Sequence, residues 1–258
     1  ITTVPFGKHD STPLKLLENA GIEYLINPLN RKLTEKELSE LVTNFDVIIA
    51  GTEPITKKVM VKASYLKHIS RVGIGLDSVD LIAAESHGIK VSYTADAPAP
   101  AVTELTLGLI ISLLRNIHIS NHKMHQGEWY RYLGRRLSEV TVGIIGVGRI
   151  GSRVLQNLQH LGTAKILAND IEQNLNHLIE WVEKEQIYKE ADIISLHLPL
   201  TFKTKNMITE EHLLMMKTDA ILINTSRGGI INENDLYKVM QSGHLSGAAI
   251  DVFNKEPY

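Results

Sequence analysis

The segment Gly146-Val147-Gly148-Arg149-Ile150-Gly151 is a G-x-G-x-x-G, and it follows directly on the apolar run Val142-Gly143-Ile144-Ile145. A strand running into a glycine turn that opens a helix suits a phosphate-bearing ligand. Gly146 permits the tight turn, Gly148 lets the backbone approach a pyrophosphate, and Gly151 allows close helix–strand packing. The N–H groups of the first helical turn, at Arg149 and Ile150, and the dipole behind them would attract the phosphates. Glycines also collect at ordinary strand-to-helix turns, so the motif needs a second feature. Asp170 supplies it, because it follows the next apolar run at 165–169. A carboxylate there can accept hydrogen bonds from both ribose hydroxyls of adenosine and would repel a 2′-phosphate. Together the two features predict a dinucleotide site that favours NAD over NADP. The plain alternative for Asp170 is a turn residue at a strand end.

Other residues could do chemistry. Arg227 stands in Asn224-Thr225-Ser226-Arg227-Gly228-Gly229, a glycine-rich turn after a buried run. A guanidinium in that place can grip a carboxylate in a bidentate way, or it can be structural. Gly73 and Ile74 follow another apolar run, where backbone N–H groups could hold a carboxylate or simply make a turn. His118, His122 and His125 have helical spacing, but no carboxylate or fourth ligand accompanies them, so no metal is expected. His244 falls in a turn after a polar helix and reads as exposed. Lys57, Lys58, Arg135 and Arg136 could contact a phosphate, although exposed basic residues are usually just solvated.

Composition narrows the classes. Hydrophobic residues make up 43% and charged residues 22% of the 258, with a net charge of −2. That balance suits a globular chain with a real core and leaves no basic footprint for nucleic acid. Cysteine is absent, which excludes disulfides and thiolate chemistry and fits a reducing cytoplasm. No apolar stretch is long enough for a membrane span. The nearest, at 105–114, is interrupted by Gly108 and Ser112 and meets Arg115, so it reads as a buried helix.

The elements that must position these residues alternate strand and helix in two halves. Apolar runs at 23–26, 46–50, 69–72 and 90–93, with a remnant at 1–4, read as parallel strands of a small doubly wound sheet. Thr34 with Glu37 makes a capping box for a helix over 34–42. Ala95-Asp96-Ala97-Pro98-Ala99-Pro100 predicts an extended crossover, with domains at 1–96 and 97–258. One long helix is expected from Val102 to about Met124, apolar nearly all round at first and therefore buried. Strands follow at 141–145, 165–168, 192–196, 220–224 and 247–250, with helices at 150–161, 210–216 and 233–242. The fold class is α/β, a flavodoxin-like domain followed by a Rossmann-type domain, with the active site expected in the cleft between them.

Several segments together resemble one family. Besides the glycine turn with Asp170, they are His197-Leu198-Pro199-Leu200-Thr201, the turn around Arg227, Gly247-Ala248-Ala249-Ile250-Asp251-Val252-Phe253 and Glu256-Pro257. In order and spacing these are similar to the D-isomer-specific 2-hydroxyacid dehydrogenases, which include D-lactate, glycerate, phosphoglycerate, formate and phosphite dehydrogenases. Arg71-Val72-Gly73-Ile74-Gly75-Leu76-Asp77-Ser78-Val79-Asp80 and Val102-Thr103-Glu104 resemble the family's substrate-domain turn and the start of its crossover helix. The resemblance implies an NAD-dependent oxidoreductase acting on a small 2-hydroxy or 2-keto acid. It implies that Arg227 anchors and polarises the substrate and that Gly73 and Ile74 help bind it. Leu198, Thr225 and Asp251 would lie on the cofactor side, Asp251 at the nicotinamide carboxamide. Glu256 would pair with the acid–base histidine and raise its pKa. A homodimer is also implied.

There is one departure. The family's acid–base histidine lies on a loop beyond that glutamate, and none of the 11 histidines here follows Glu256. His197 sits in a cofactor-side loop instead. The expectation is that the polypeptide continues past Tyr258, and that Ile1 to Val4 is the tail of a strand begun earlier. Loss of positioned acid–base catalysis would otherwise cost on the order of 10² to 10⁴ in rate. Two other readings stand beside the dehydrogenase: an NAD-sensing protein resembling the C-terminal-binding co-repressors, and an inactive truncated relic.

Overall fold

The computed structural model describes residues 1–173 and 179–256 and divides into two compact units, Ile1–Pro98 and Ala99–Tyr258. The division falls two residues after the expected 96/97 boundary.

In the first unit the order is α1 (Thr12–Asn19), α2 (Glu35–Leu41), β1 (Val47–Ala50), α3 (Lys57–Lys62), β2 (His68–Arg71), α4 (Leu81–Ser86) and β3 (Lys90–Tyr93). The strands pair in parallel as β1-β2-β3, with Ile48 beside Ile69 and Ile69 beside Val91. Leu38, Ile48, Ile55, Val59, Met60 and Ile69 form the buried core on one face of this sheet. The capping box forms as expected: the Thr34 hydroxyl accepts the Glu37 N–H at 3.3 Å, and Glu37 accepts the Thr34 N–H at 2.9 Å. Asp80 caps α4 by accepting the Ala83 N–H at 2.9 Å.

The strands expected at 1–4 and 23–26 do not form as regular strands. Thr2 donates its N–H to Ile49, the Ile1 amino group donates to Leu25, and Asn27 donates to Ile1. These bonds align the two extended segments beside β1 in a doubly wound order. Beyond these bonds the Leu29 N–H turns to Asn27 Oδ1 and the Gly51 N–H to Glu53 Oε1, so neither extends a ladder.

The second unit contains α5 (Ala99–Leu114), α6 (Ile117–His125), β4 (Thr141–Ile145), α7 (Arg149–His160), β5 (Lys165–Asn169), β6 (Glu180–Trp181), α8 (Lys184–Glu190), β7 (Ile193–Leu196), α9 (Glu210–Met215), β8 (Ile221–Asn224), α10 (Glu233–Gln241) and β9 (Gly247–Ile250). All six strands are parallel in the order β6-β5-β4-β7-β8-β9. Strand order therefore reverses between β4 and β7, and a crevice opens at their carboxyl ends. All four residues of β7 and of β8 are buried, which explains why they are apolar apart from Ser195 and Asn224. The expected helices correspond to α7, α9 and α10; β6 and α8 were not expected.

The single long helix is corrected to two. Asn116 takes φ 53°, in the left-handed region, and α5 and α6 meet at a 68° bend. Asparagine is among the few residues that tolerate this conformation, and its side chain donates to the Leu133 carbonyl at 3.0 Å. The extended crossover is also corrected, because Ala99 and Pro100 already belong to α5. Proline in a first helical turn gives up an N–H that has no helical partner there. Within this unit α5 buries Ala99, Thr103, Thr106, Ile110 and Leu114, and leaves Leu105 and Ile111 partly exposed. Among the described residues no single helix is long and apolar enough to cross a membrane.

Candidate functional site

β4 ends in a turn built so that only glycine fits at two places. Gly146 has φ 94°, and a Cβ there would stand 2.5 Å from the His197 carbonyl oxygen. A Cβ on Gly151 would collide with the Gly146 carbonyl oxygen, so the first turn of α7 rests directly on the loop. Gly148 is different, since a Cβ there would meet nothing within 4 Å. Packing therefore does not require glycine at 148, and the space over it is open.

Two backbone donors of this turn are committed. Gly146 donates to the Asn169 carbonyl, and Val147 donates to Asp170 Oδ2 at 2.6 Å. Asp170 Oδ1 accepts the Glu172 N–H at 3.1 Å. The helix's own bonds begin with Ser152 N–H on the Gly148 carbonyl, so the amides ahead of Ser152 lie outside its ladder. A carboxylate has about four lone-pair positions, so Asp170 keeps capacity for ribose hydroxyls after bracing the turn. Open space over Gly148, a helix N-terminus and an acid after β5 fit the adenosine–pyrophosphate half of NAD.

At the end of β7, His197 is half-buried and its Nε2 lies 2.8 Å from Ser195 Oγ. Burial pushes the imidazole down to about 4. Leu198 packs partly buried beside Gly146. Sequence reasoning assigned His197 no chemistry, and Ser195 was not singled out. The one available signal was a serine and a histidine two apart on a strand, which points both side chains to one face.

β8 leads to the turn that presents Arg227. Asn224 Oδ1 accepts both the N–H and the hydroxyl of Ser226, and Asn224 Nδ2 donates to the Arg227 carbonyl at 2.9 Å. This bracket shapes the loop. Arg227 is half-buried and donates from Nη1 to the Ser226 carbonyl at 2.7 Å. Gly228 is required there, because a Cβ would collide with the Phe253 carbonyl. The Thr225 hydroxyl is buried against that of Thr106 on α5 at 2.9 Å, so it ties the turn to the helix. From β9, the neighbour of β8, Asp251 donates its N–H to the Asn224 carbonyl at 3.0 Å. Its carboxyl pKa is raised, first by partial burial and then by the charge of Glu256. Glu256 is exposed and accepts the Phe253 N–H at 3.1 Å. Arg227, Asp251 and Glu256 thus follow the carboxyl ends of adjacent strands; Pro257 of the same motif lies outside the described residues.

In the first unit, Gly73 follows β2 with φ 138°. Its N–H is donated to Thr94 Oγ1 at 2.7 Å, a partner that the sequence did not announce. Ile74 stands beside it, half-buried. Arg71 is buried and its guanidinium lies against the Gly73 α-carbon.

The remaining candidates have local explanations. His244 is half-buried rather than exposed, with Nε2 3.0 Å from the Met216 carbonyl. His118, His122 and His125 are exposed on α6, and no group of three metal-binding side chains occurs among the described residues. Lys57 and Lys58 start α3, where Lys58 is 3.7 Å from Glu35. Arg135 pairs with Asp192 at 3.5 Å, and Arg136 pairs with Glu139.

Comparison with known proteins agrees with this arrangement. Residues 107–258 match the family described as D-isomer specific 2-hydroxyacid dehydrogenase, NAD binding domain. The chain is 37% identical over 255 residues to a D-3-phosphoglycerate dehydrogenase of Methanocaldococcus jannaschii, covering 95% of the chain and 47% of that relative. It is 37% identical over 250 residues to a hydroxypyruvate reductase of Thermotoga maritima, covering 93% of the chain and 81% of the relative. The chain therefore spans about half of one relative and four-fifths of the other. A crystal structure of D-lactate dehydrogenase from Aquifex aeolicus, complexed with NAD and lactic acid, superposes with a TM-score of 0.85. Identity there is 28%, over 96% of this chain and 75% of that one. On turn, acid and motif order alike, this chain belongs to the D-isomer specific 2-hydroxyacid dehydrogenases.

Proposed function

We propose that this chain interconverts a small D-2-hydroxy acid and its 2-keto acid with NAD as the redox partner. The observation that carries the reading is Arg227, held half-buried by the Asn224 bracket on the same carboxyl edge of the sheet that bears the dinucleotide turn. When bound, NAD takes or gives the hydride at C2. Arg227 grips the substrate carboxylate and polarises the C2 oxygen through its planar fork of donors. By family resemblance Gly73 and Ile74 take part in substrate binding, with Ile74 as the donor, since the Gly73 N–H is already donated to Thr94 Oγ1. Asp251 orients the nicotinamide carboxamide, with Leu198 and Thr225 on the cofactor side, and Glu256 serves the family's acid–base histidine as its carboxylate partner. Exclusion of water from the reacting atoms would strengthen each of these contacts.

The relatives' names span phosphoglycerate, hydroxypyruvate and lactic acid, whose shared element is a carboxylate beside an oxygen-bearing C2. The substrate class is therefore the short 2-keto acid. Absence of cysteine suits a reducing cytoplasm, and family resemblance suggests a homodimer with neither nucleic acid nor membrane as partner.

The test follows NADH consumption with pyruvate, glyoxylate and hydroxypyruvate, in the wild type and in Arg227→Gln. NADH binding by both proteins, with turnover only in the wild type, is the expected result. Failure of the wild type to bind NADH would overturn the assignment.

A further inference from the structure

The buried row of β8 continues one residue past the strand and changes character there. Ile221 and Ile223 join Ile110 and Leu114 of α5 in one apolar cluster, and residues two apart along a strand share a face. Thr225 is the next residue of that row, and Thr106 stands one turn before Ile110 on the buried stripe of α5. The contact between strand and helix therefore ends in two hydroxyls, both buried and 2.9 Å apart.

Burying a hydroxyl costs more than burying a methyl group. Valine has nearly the shape of threonine, so a valine pair here would hold strand and helix together about as well. What the hydroxyls add is direction, because a hydrogen bond fixes distance and angle whereas apolar contact is non-directional. That direction is applied at the turn that presents Arg227. The ladder releases the chain at Asn224, whose carbonyl accepts the Asp251 N–H. The Asn224 side chain then holds Ser226 and the Arg227 carbonyl, which sets the shape of the turn from within. Two contacts seat that turn on the rest of the unit, one on each side of Arg227. At Gly228 the Phe253 carbonyl fills the place of a Cβ. At Thr225 the hydroxyl meets that of Thr106, which is itself anchored by donating to the Val102 carbonyl at 2.8 Å.

We infer that Thr106 is a positioning residue for Arg227: through Thr225 it sets where the guanidinium stands, and so how firmly the site grips a 2-keto acid carboxylate. This inference rests on the reading of Arg227 as the substrate anchor.

Oxamate, an unreactive analogue of pyruvate, reads that grip without requiring turnover. Its affinity for the NADH complex should be titrated with wild type, Thr106→Ser and Thr106→Val. Serine keeps the hydroxyl and should stay within about threefold of wild type. Valine should weaken oxamate about tenfold or more while NADH affinity holds. Unchanged oxamate binding in Thr106→Val, equal loss in both variants, or parallel loss of NADH would each overturn the inference. In an Arg227→Lys background the penalty of Thr106→Val should shrink to about threefold or less. An undiminished penalty would show that Thr106 does not act through Arg227.

The double variant Thr106→Val, Thr225→Val separates direction from packing. It should keep the wild-type melting temperature and still bind oxamate weakly, and recovery of wild-type oxamate affinity would overturn the inference. Crystal structures of wild type and Thr106→Val give a reading that needs no ligand. The Arg227 guanidinium should be displaced by about 1 Å or more, enough to impair a site that depends on orientation. An unmoved guanidinium would overturn the inference whether or not oxamate binds. A wild type that binds NADH but not oxamate would instead overturn the reading of Arg227 as the anchor.

Discussion

Asp170 Oδ2 accepts the Val147 backbone N–H at 2.6 Å, so the acid after β5 braces the glycine turn after β4. One carboxylate therefore shapes the glycine turn and, in the proposed reading, also meets the adenosine ribose. Asp170→Ala removes brace and charge together, whereas Asp170→Asn keeps an oxygen acceptor for Val147. Both should move the NAD-to-NADP affinity ratio toward NADP, and Ala should in addition weaken NADH binding about tenfold. Titration of both cofactors checks this, and an unchanged ratio in both variants would sink the ribose role.

Gly148 and Gly151 should respond in opposite ways to the same added methyl. Gly151→Ala drives a Cβ into the Gly146 carbonyl, so a loss of roughly 2–4 kcal/mol in stability is expected. Gly148→Ala meets open space at a φ of −76°, so the melting temperature should hold while NADH affinity falls. Thermal unfolding with and without NADH distinguishes the two. A destabilised Gly148→Ala protein would mean that the open space belongs to the fold.

His197 makes stability depend on pH in a defined window. Its folded-state pKa of about 4 lies below the unfolded value of roughly 6.5. The unfolded chain therefore binds the proton more readily. This contribution is fully present above about pH 6.5, falls as the pH drops toward 4, and totals roughly 3 kcal/mol. Urea unfolding of wild type and His197→Asn across that range should show a steeper loss in the wild type. Parallel curves would show that the ring is not kept neutral by the fold.

Thr34→Ala should unsettle the first unit alone. It removes the hydroxyl that accepts the Glu37 N–H, at a cost of about 1 kcal/mol. Hydrogen exchange should quicken across α2 while β4 to β9 keep their protection. Equal quickening in both units would contradict their description as separate compact bodies.

Much of this arrangement was legible in the residues. Largely apolar runs mark β4, β5, β7, β8 and β9 because a strand covered on both faces has little polar side to show. The glycine turn and Asp170 were legible because their conformations and chemistry restrict which residues can stand there. The capping box was legible because its partners lie three residues apart.

What the pattern could not settle depends on partners distant along the chain. β6 is two residues long, too short for any periodicity. The bend at Asn116 needs a single residue in the left-handed region, and the composition around it is that of a continuous helix. Only the folded chain brings Asp170 onto Val147, Thr225 onto Thr106, and Ser195 with His197 under the turn at Gly146. Sequence by itself determined the parallel α/β plan, the dinucleotide turn and the family, because backbone sterics and burial act locally and restrict residue type. Tertiary structure alone decided which polar groups meet. A hydrogen bond between distant residues constrains distance and direction, and neither is written in the identity of its partners.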